Sequence, residues 1–244
     1  MQVYSEGATH IGSRRNNQDS IYHDSERLLF VVADGMGGHA GGEIASQMVV
    51  SHFKNIPKKT LPYDKEDREI EIFFERSLNQ ASCDIYLKSI ENPTLREMGT
   101  TCSLLWMNKM KLYCAHAGDS RIYLQRNNFL YQLTDDHSLV GEQLRAGLIT
   151  EGAAKDHVLK NVITRSIGYR KQECIDTFSQ DLMSGDQLLV CSDGLYNEVS
   201  AETISRVMAS DKKDRTGLLV DLARNSGEKD KQKDNISVII VSIM

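Results

Sequence analysis

Six short runs of apolar, β-branched and aromatic residues do most to limit what this chain can fold into: Leu28 to Ala33, Thr100 to Met107, Lys111 to Ala117, Arg121 to Gln125, Gln187 to Ser192 and Ile236 to Ile243. Each has the composition of a strand. Asn108-Lys109-Met110 and Asn127-Asn128 stand where tight turns are needed, so Thr100 to Thr134 is predicted to be an antiparallel meander. Helical spacing runs from Glu43 to Asn55, from about Lys65 to Ser89, from Ser138 to Ala146, after Ser200, and from Thr216 to Asn225. Strands and helices grouped in blocks around an antiparallel core predict an α+β layered architecture, not a doubly wound parallel sheet. Ile56 to Asp64, with two of the three prolines, reads as a helix-to-helix loop, and Val140 to Lys160 and Gly227 to Asp234 read as irregular.

With 244 residues, of which 40% are apolar and 26% charged, the chain is expected to fold alone as one domain over residues 1–244. The balance of 29 basic and 34 acidic residues, net charge −5, lacks the basic footprint of a nucleic-acid binder. No leader-like segment is seen, and LLFVVA is far too short to span a bilayer, so a cytoplasmic protein without a membrane partner is expected. Cys83, Cys102, Cys114, Cys174 and Cys191 form an odd set with no C-x-x-C pair, which fits free thiols. Cys102, Cys114 and Cys191 lie in strand-like segments and read as small buried hydrophobes.

The unusual feature is a set of aspartates at strand ends, where aspartate has poor intrinsic preference and no helix to cap. LLFVVADG delivers Asp34 and Gly35 to a turn, and LLVCSDG does the same with Asp193. Asp234 stands just ahead of ISVIIVSI, Asp119 separates LYCAHAG from SRIYL, and Asp19 closes RRNNQD. A single such aspartate is more often a turn former than a ligand. Five together suggest a cation, because converging carboxylates repel one another and raise each other's pKa. Oxygen-only ligands favour Mg²⁺ or Mn²⁺, whereas zinc would bring histidine or cysteine clusters. The glycine-rich run from Asp34 to Ser46 lacks the lysine of a P-loop and the spacing of a dinucleotide site. It offers backbone free to approach a ligand, followed directly by a helix.

The motifs RRNNQD, VVADGMGGHAGGEIA, MGTT, AGDSR, LTDDHSLV, NVITRSIG, CSDG and DNISVIIV occur in the order seen in the type 2C metal-dependent protein phosphatases, and the chain resembles their compact bacterial branch from about Gly12 to Val241. The resemblance implies a four-layer α-β-β-α sandwich of two antiparallel sheets flanked by helices. It implies hydrolysis of phosphoserine and phosphothreonine by direct attack of a metal-bridging water, with two Mn²⁺ or Mg²⁺ ions and a third, weaker site. Carried over by motif, Asp34 would bridge two ions and Gly35 would offer its carbonyl to the first. Asp193 and Asp234 would bind the second, and Asp119 with Asp193 the third. Asp19 would hold metal-bound water, and Arg14, preferred to Arg15 on spacing, would contact the substrate phosphate.

Eukaryotic members place a histidine directly after the Asp-Gly pair, whereas this chain has Met36 there and His39 three positions later. His39 is therefore the candidate proton donor, beside an equally weighted structural reading. His116 and His137 read as structural, with His137 organising the approach to Leu139 to Lys160, a segment that resembles the family's flap. The implied partners are phosphorylated proteins, serine/threonine kinases and their substrates, and a monomer is expected. Two other readings stand beside this one: a phosphoprotein-binding regulator of a kinase without turnover, and a small-molecule phosphomonoesterase.

Overall fold

The computed structural model describes residues 2–37, 41–155, 157–227 and 232–244. Its strands are β1 (Val3–His10), β2 (Asp19–Asp24), β3 (Leu29–Met36), β4 (Gly99–Thr100), β5 (Cys102–Asn108), β6 (Lys111–Ala117), β7 (Arg121–Arg126), β8 (Phe129–Gln132), β9 (Asp176–Asp181), β10 (Gln187–Cys191) and β11 (Ile236–Ile243). Its helices are α1 (Gly41–Asn55), α2 (Asp67–Glu91), α3 (Leu139–Arg145), α4 (Glu151–Lys155), α5 (Asp193–Tyr196), α6 (Ala201–Met208) and α7 (Arg215–Arg224). One sheet has the order β1-β11-β10-β7-β8, and the other has β2-β3-β5-β6-β9 with β4 paired to β3. Every pairing between these strands is antiparallel.

Alternation along the strands shows why the apolar runs carry no polar face. On β3, Phe30 and Val32 join Leu105, Met107, Leu112, Ile122, Leu188, Val190, Ile239 and Val241 between the two sheets. Leu29, Val31 and Ala33 point the other way, against Val49 and Phe53 of α1 and Ile70, Phe74 and Leu78 of α2. On the far side Leu189, Val238 and Ile240 meet Ile204, Met208, Leu219 and Val220 of α6 and α7. Three apolar layers between four layers of structure make the α-β-β-α sandwich, an α+β fold. A fully buried side chain of this size contributes about 1.5–3 kcal/mol by leaving water.

α2 presents Ile70, Phe74, Leu78, Ala81 and Ile85 as one buried stripe at helical spacing. Fully buried Trp106 packs against Phe74 and Tyr113 and donates its indole N–H to the Arg27 carbonyl at 3.1 Å. Among the described residues no helix is long and apolar enough to cross a membrane.

The predicted meander is corrected by the topology. β5 and β6 form a hairpin in one sheet, while β7 and β8 form a hairpin in the other. The turn within the second is the two-residue Asn127-Asn128, both at positive φ, as that sequence suggests. Between the hairpins Gly118, Asp119 and Ser120 carry the chain from one sheet to the other, so the two hairpins cannot share a ladder. β1, β2 and β9 have no counterpart among the predicted strands, because their faces alternate with polar residues, and β1 and β9 also pair with segments far away in sequence. Val140 to Lys160 is not wholly irregular, since it holds most of α3 and all of α4. Cys102, Cys114 and Cys191 are buried free thiols, as expected.

Candidate metal centre

The antiparallel registers bring five aspartates to one end of the sandwich. Asp19 opens β2 directly opposite Asp34 near the end of β3. Asp119 lies in the crossing that follows β6, whose last residue, Ala117, pairs with Cys102 at the start of β5. In the other sheet the end of β10 pairs with the starts of both β7 and β11. That register sets Asp193, just after β10, beside Asp119, just before β7, and Asp234, just before β11. Asp193 also opens the short helix α5, so the expectation that no helix follows these aspartates fails at this position.

Polar groups around the aspartates fix the backbone and leave oxygens free. The Asp34 amide donates to Thr101 Oγ1 at 2.9 Å, and its carbonyl accepts from the Thr101 amide at 2.8 Å and Thr100 Oγ1 at 2.9 Å. Ser192 Oγ donates to Asp19 Oδ2 at 2.8 Å, and Asn197 Nδ2 to Asp193 Oδ2 at 3.1 Å. The partner oxygens Asp19 Oδ1 and Asp193 Oδ1 are buried and accept no hydrogen bond from any described residue. At Gly35 an added Cβ would lie 2.0 Å from the Gly42 carbonyl oxygen, so only glycine lets the end of β3 meet the start of α1.

The charges are unbalanced. Burial, followed by the nearby charges of Asp19, Asp193, Asp119 and Asp234, holds the Asp34 carboxyl well above its ordinary range. Burial and then Asp119, Asp234 and Asp19 do the same to Asp193. Burial is the main reason that Asp119 is pushed up to about 7 and Asp19 to about 6. Against these charges, Arg14 Nη2 lies 2.6 Å from Asp234 Oδ2, and the Arg121 guanidinium acts on Asp119.

An oxygen-only cluster with orphaned, mutually repelling carboxylates fits hard divalent cations. Among the described residues no three His, Cys, Asp or Glu side chains gather closely enough to cage an ion unaided. Mg²⁺-like ions keep several waters and use one or two carboxylates each.

Of the residues singled out in the sequence, Asp19, Asp34, Gly35, Asp119, Asp193, Asp234 and Arg14 therefore meet at this one end, while His39 lies outside the described residues. His116 is buried, with Nδ1 facing Ser103 Oγ at 3.0 Å and Nε2 facing the Asp135 carbonyl at 3.0 Å. Burial lowers its pKa to about 4.

Sequence reasoning missed the hydroxyls that hold the aspartates. Ser120 and Ser192 sit beside aspartate in AGDSR and CSDG and Thr101 two residues after Gly99 in MGTT, and closeness to a turn is the one signal available. Thr101→Val removes the oxygen that receives the Asp34 amide and faces Ser120 Oγ at 2.7 Å. A buried N–H without a partner costs about 1–3 kcal/mol, so the urea midpoint should fall accordingly. An unchanged midpoint would show that Asp34 is held by other means.

Carboxylates gathered at the rim of a β-sandwich, with a guanidinium beside them, are the equipment of a phosphohydrolase that works with hard divalent ions. The chain belongs to the protein phosphatase 2C family, whose model matches residues 6–215. It is 39% identical over 241 residues to the protein phosphatase PhpP of Streptococcus pneumoniae, covering 96% of this chain and 95% of that protein. It is 34% identical over 233 residues to the serine/threonine phosphatase stp of Listeria monocytogenes, covering 93% of this chain and 90% of that protein.

The serine/threonine phosphatase structure from S. agalactiae superposes with a TM-score of 0.91 at 36% identity, covering 100% of both chains. The catalytic domain of PstP, solved in complex with two manganese ions, superposes with a TM-score of 0.84 at 30% identity, covering 98% of this chain and 97% of that one. The chain is accordingly a serine/threonine protein phosphatase, a hydrolase.

Proposed function

We propose that the chain acts as one catalytic domain that removes phosphate from phosphoserine and phosphothreonine in proteins, the counterpart of serine/threonine kinases in the cytoplasm. The observation that carries the site assignment is the pair of orphaned buried oxygens on Asp19 and Asp193 within a cluster of five carboxylates. Asp34, Asp193 and Asp234, with the Gly35 carbonyl, would hold two Mn²⁺ or Mg²⁺ ions, and Asp119 with Asp193 a third. Bound ions supply Lewis-acid activation of water and neutralise the phosphoryl charge.

The chain's own groups do the positioning. Ser192 fixes one oxygen of Asp19 and leaves the other buried and without a partner, available to orient a water. Arg14 is half exposed at the rim, and its fork is suited to a phosphate dianion once it exchanges Asp234 for substrate. His39 is the proposed donor of a proton to the departing serine or threonine oxygen. Phosphoryl transfer depends mostly on such positioning and on charge neutralisation.

The test is hydrolysis of a phosphothreonine peptide and of small phosphomonoesters with Mn²⁺, with Mg²⁺ and with chelator. Turnover of the peptide that needs the ion is expected. Turnover confined to small metabolites would favour a phosphomonoesterase, and binding without turnover a regulator. Arg14→Ala should lower kcat/KM by about 10- to 100-fold, the worth of one charge-assisted contact. Arg14→Lys should recover only part of it, because the bidentate fork is lost.

A further inference from the structure

His137 lies between β8 and α3, is 1% exposed, and makes polar contacts in several directions. Its ring Nδ1 accepts the Gly118 amide at 3.2 Å. Nδ1 is therefore unprotonated and Nε2 carries the hydrogen, which it donates to Asp176 Oδ2 at 3.0 Å. Arg165 Nη1 stands 3.3 Å from Nε2, but both are donors, and its hydrogen bond goes instead to Asp176 Oδ1 at 2.8 Å. The His137 amide donates to the Gly118 carbonyl at 2.8 Å, and its own carbonyl accepts the Thr164 amide at 2.8 Å.

Two structures meet at this ring. One is the Gly118-Asp119 crossing between the sheets, where Gly118 has φ +112 and an added Cβ would lie 2.5 Å from Thr101. The other is the excursion that leaves after Ser138 and returns at Thr164, closed by the Ser138–Ile163 bridge and by the Leu139 amide bonding the Val162 carbonyl at 2.8 Å. Asp176 receives both His137 and Arg165, one from each end of the excursion. Both ring nitrogens have partners, as a buried imidazole requires, and those partners lie on the crossing and on the strand that holds the ends of the excursion.

We infer that His137 is a positioning residue for the Asp119 carboxylate, fixing the crossing through the Gly118 amide while Asp176 ties the same ring to the ends of the 138–165 excursion. The inference rests on the reading of Asp119 as an ion ligand, and two isosteric replacements test it. His137→Asn sets an amide oxygen near the place of Nδ1, keeping the acceptor for Gly118. His137→Gln sets an amide nitrogen near the place of Nε2, keeping the donor to Asp176 and losing that acceptor.

Chelator-stripped wild type, H137N, H137Q and D119N are titrated with Mn²⁺ by calorimetry, with circular dichroism confirming the fold. D119N defines the binding event that depends on Asp119. An unchanged D119N isotherm would overturn the ligand reading itself. H137Q should weaken that event roughly tenfold or more, the usual cost of losing a group behind a metal ligand, and spare the tighter events. H137N should stay within about threefold of wild type, since the acceptor persists. A D119N effect with wild-type binding in H137Q, or equal losses in both His137 variants, would overturn the positioning role. If H137Q does not fold, H137N decides alone, because loss of the Asp119-dependent event there contradicts the acceptor argument.

Discussion

Asp193→Ala should lower turnover of a phosphothreonine peptide by about a thousandfold or more and leave the chelated protein at least as stable as wild type. The first half follows from chemistry in which ions supply several kcal/mol of transition-state stabilisation, each 1.36 kcal/mol being tenfold in rate. The second half follows from electrostatics. Asp193 Oδ1 has no partner, and its charge faces Asp119, Asp234 and Asp19 in a buried setting that holds its carboxyl well above the ordinary range. Its deletion forfeits one hydrogen bond, from Asn197 at 3.1 Å, and relieves that repulsion. A structural aspartate would behave in the opposite way, losing stability and sparing the catalytic rate. Turnover within tenfold of wild type would remove Asp193 from the site.

Between pH 6.5 and 8 the chelated protein should lose on the order of 2 kcal/mol of stability, and excess Mn²⁺ should restore it. Asp119 is raised to about 7, and Asp34 and Asp193 are raised as well, each chiefly by burial. An unfolded aspartate titrates near 3.9. Above that value the folded chain therefore binds more protons than the unfolded one, and stability falls as pH rises through the folded pKa values.

Histidines oppose this at lower pH. Burial lowers His116 to about 4 and also lowers His23, His52 and His137, so the unfolded chain takes up their protons below about pH 6.5. The buried Cys102 and Cys191 thiols, raised by burial, act only at more alkaline pH. From 6.5 to 8 the unfolded histidines give up their remaining protons, which opposes the fall by at most about 0.4 kcal/mol each, and the carboxylates set the sign. A divalent ion takes the place of their protons, and at a hundred times its dissociation constant it adds about 2.7 kcal/mol. Urea unfolding at the two pH values, with chelator and with Mn²⁺, measures both effects. A chelated protein whose stability is flat or rising over this window would contradict the mutual repulsion.

The match between sequence and structure differs from element to element. β6 and β11 coincide with their predicted runs, because both faces of these strands are covered and nearly every residue is apolar. β1, half polar and paired with distant β11, and β2, half polar although it pairs with neighbouring β3, gave no such signal. The aspartates were legible because they interrupt apolar runs where a carboxylate has no reason to be. Thr101 and Ser192 were not, since a hydroxyl next to a glycine turn is unremarkable until the group it holds is known.

The sequence alone determined which segments must be buried, the α+β class, and the presence of five misplaced aspartates whose chemistry calls for a hard cation. It could not determine which sheet each hairpin joins, since local turn chemistry fixes a hairpin and says nothing about its long-range neighbour. Only the tertiary structure decided that the chain changes sheets at Gly118 and Asp119. With that crossing, antiparallel registers bring together carboxylates as far apart in sequence as Asp19 and Asp234. Their mutual repulsion, and hence their need for a counter-charge, exists only once the two sheets are packed face to face and water is excluded from between them.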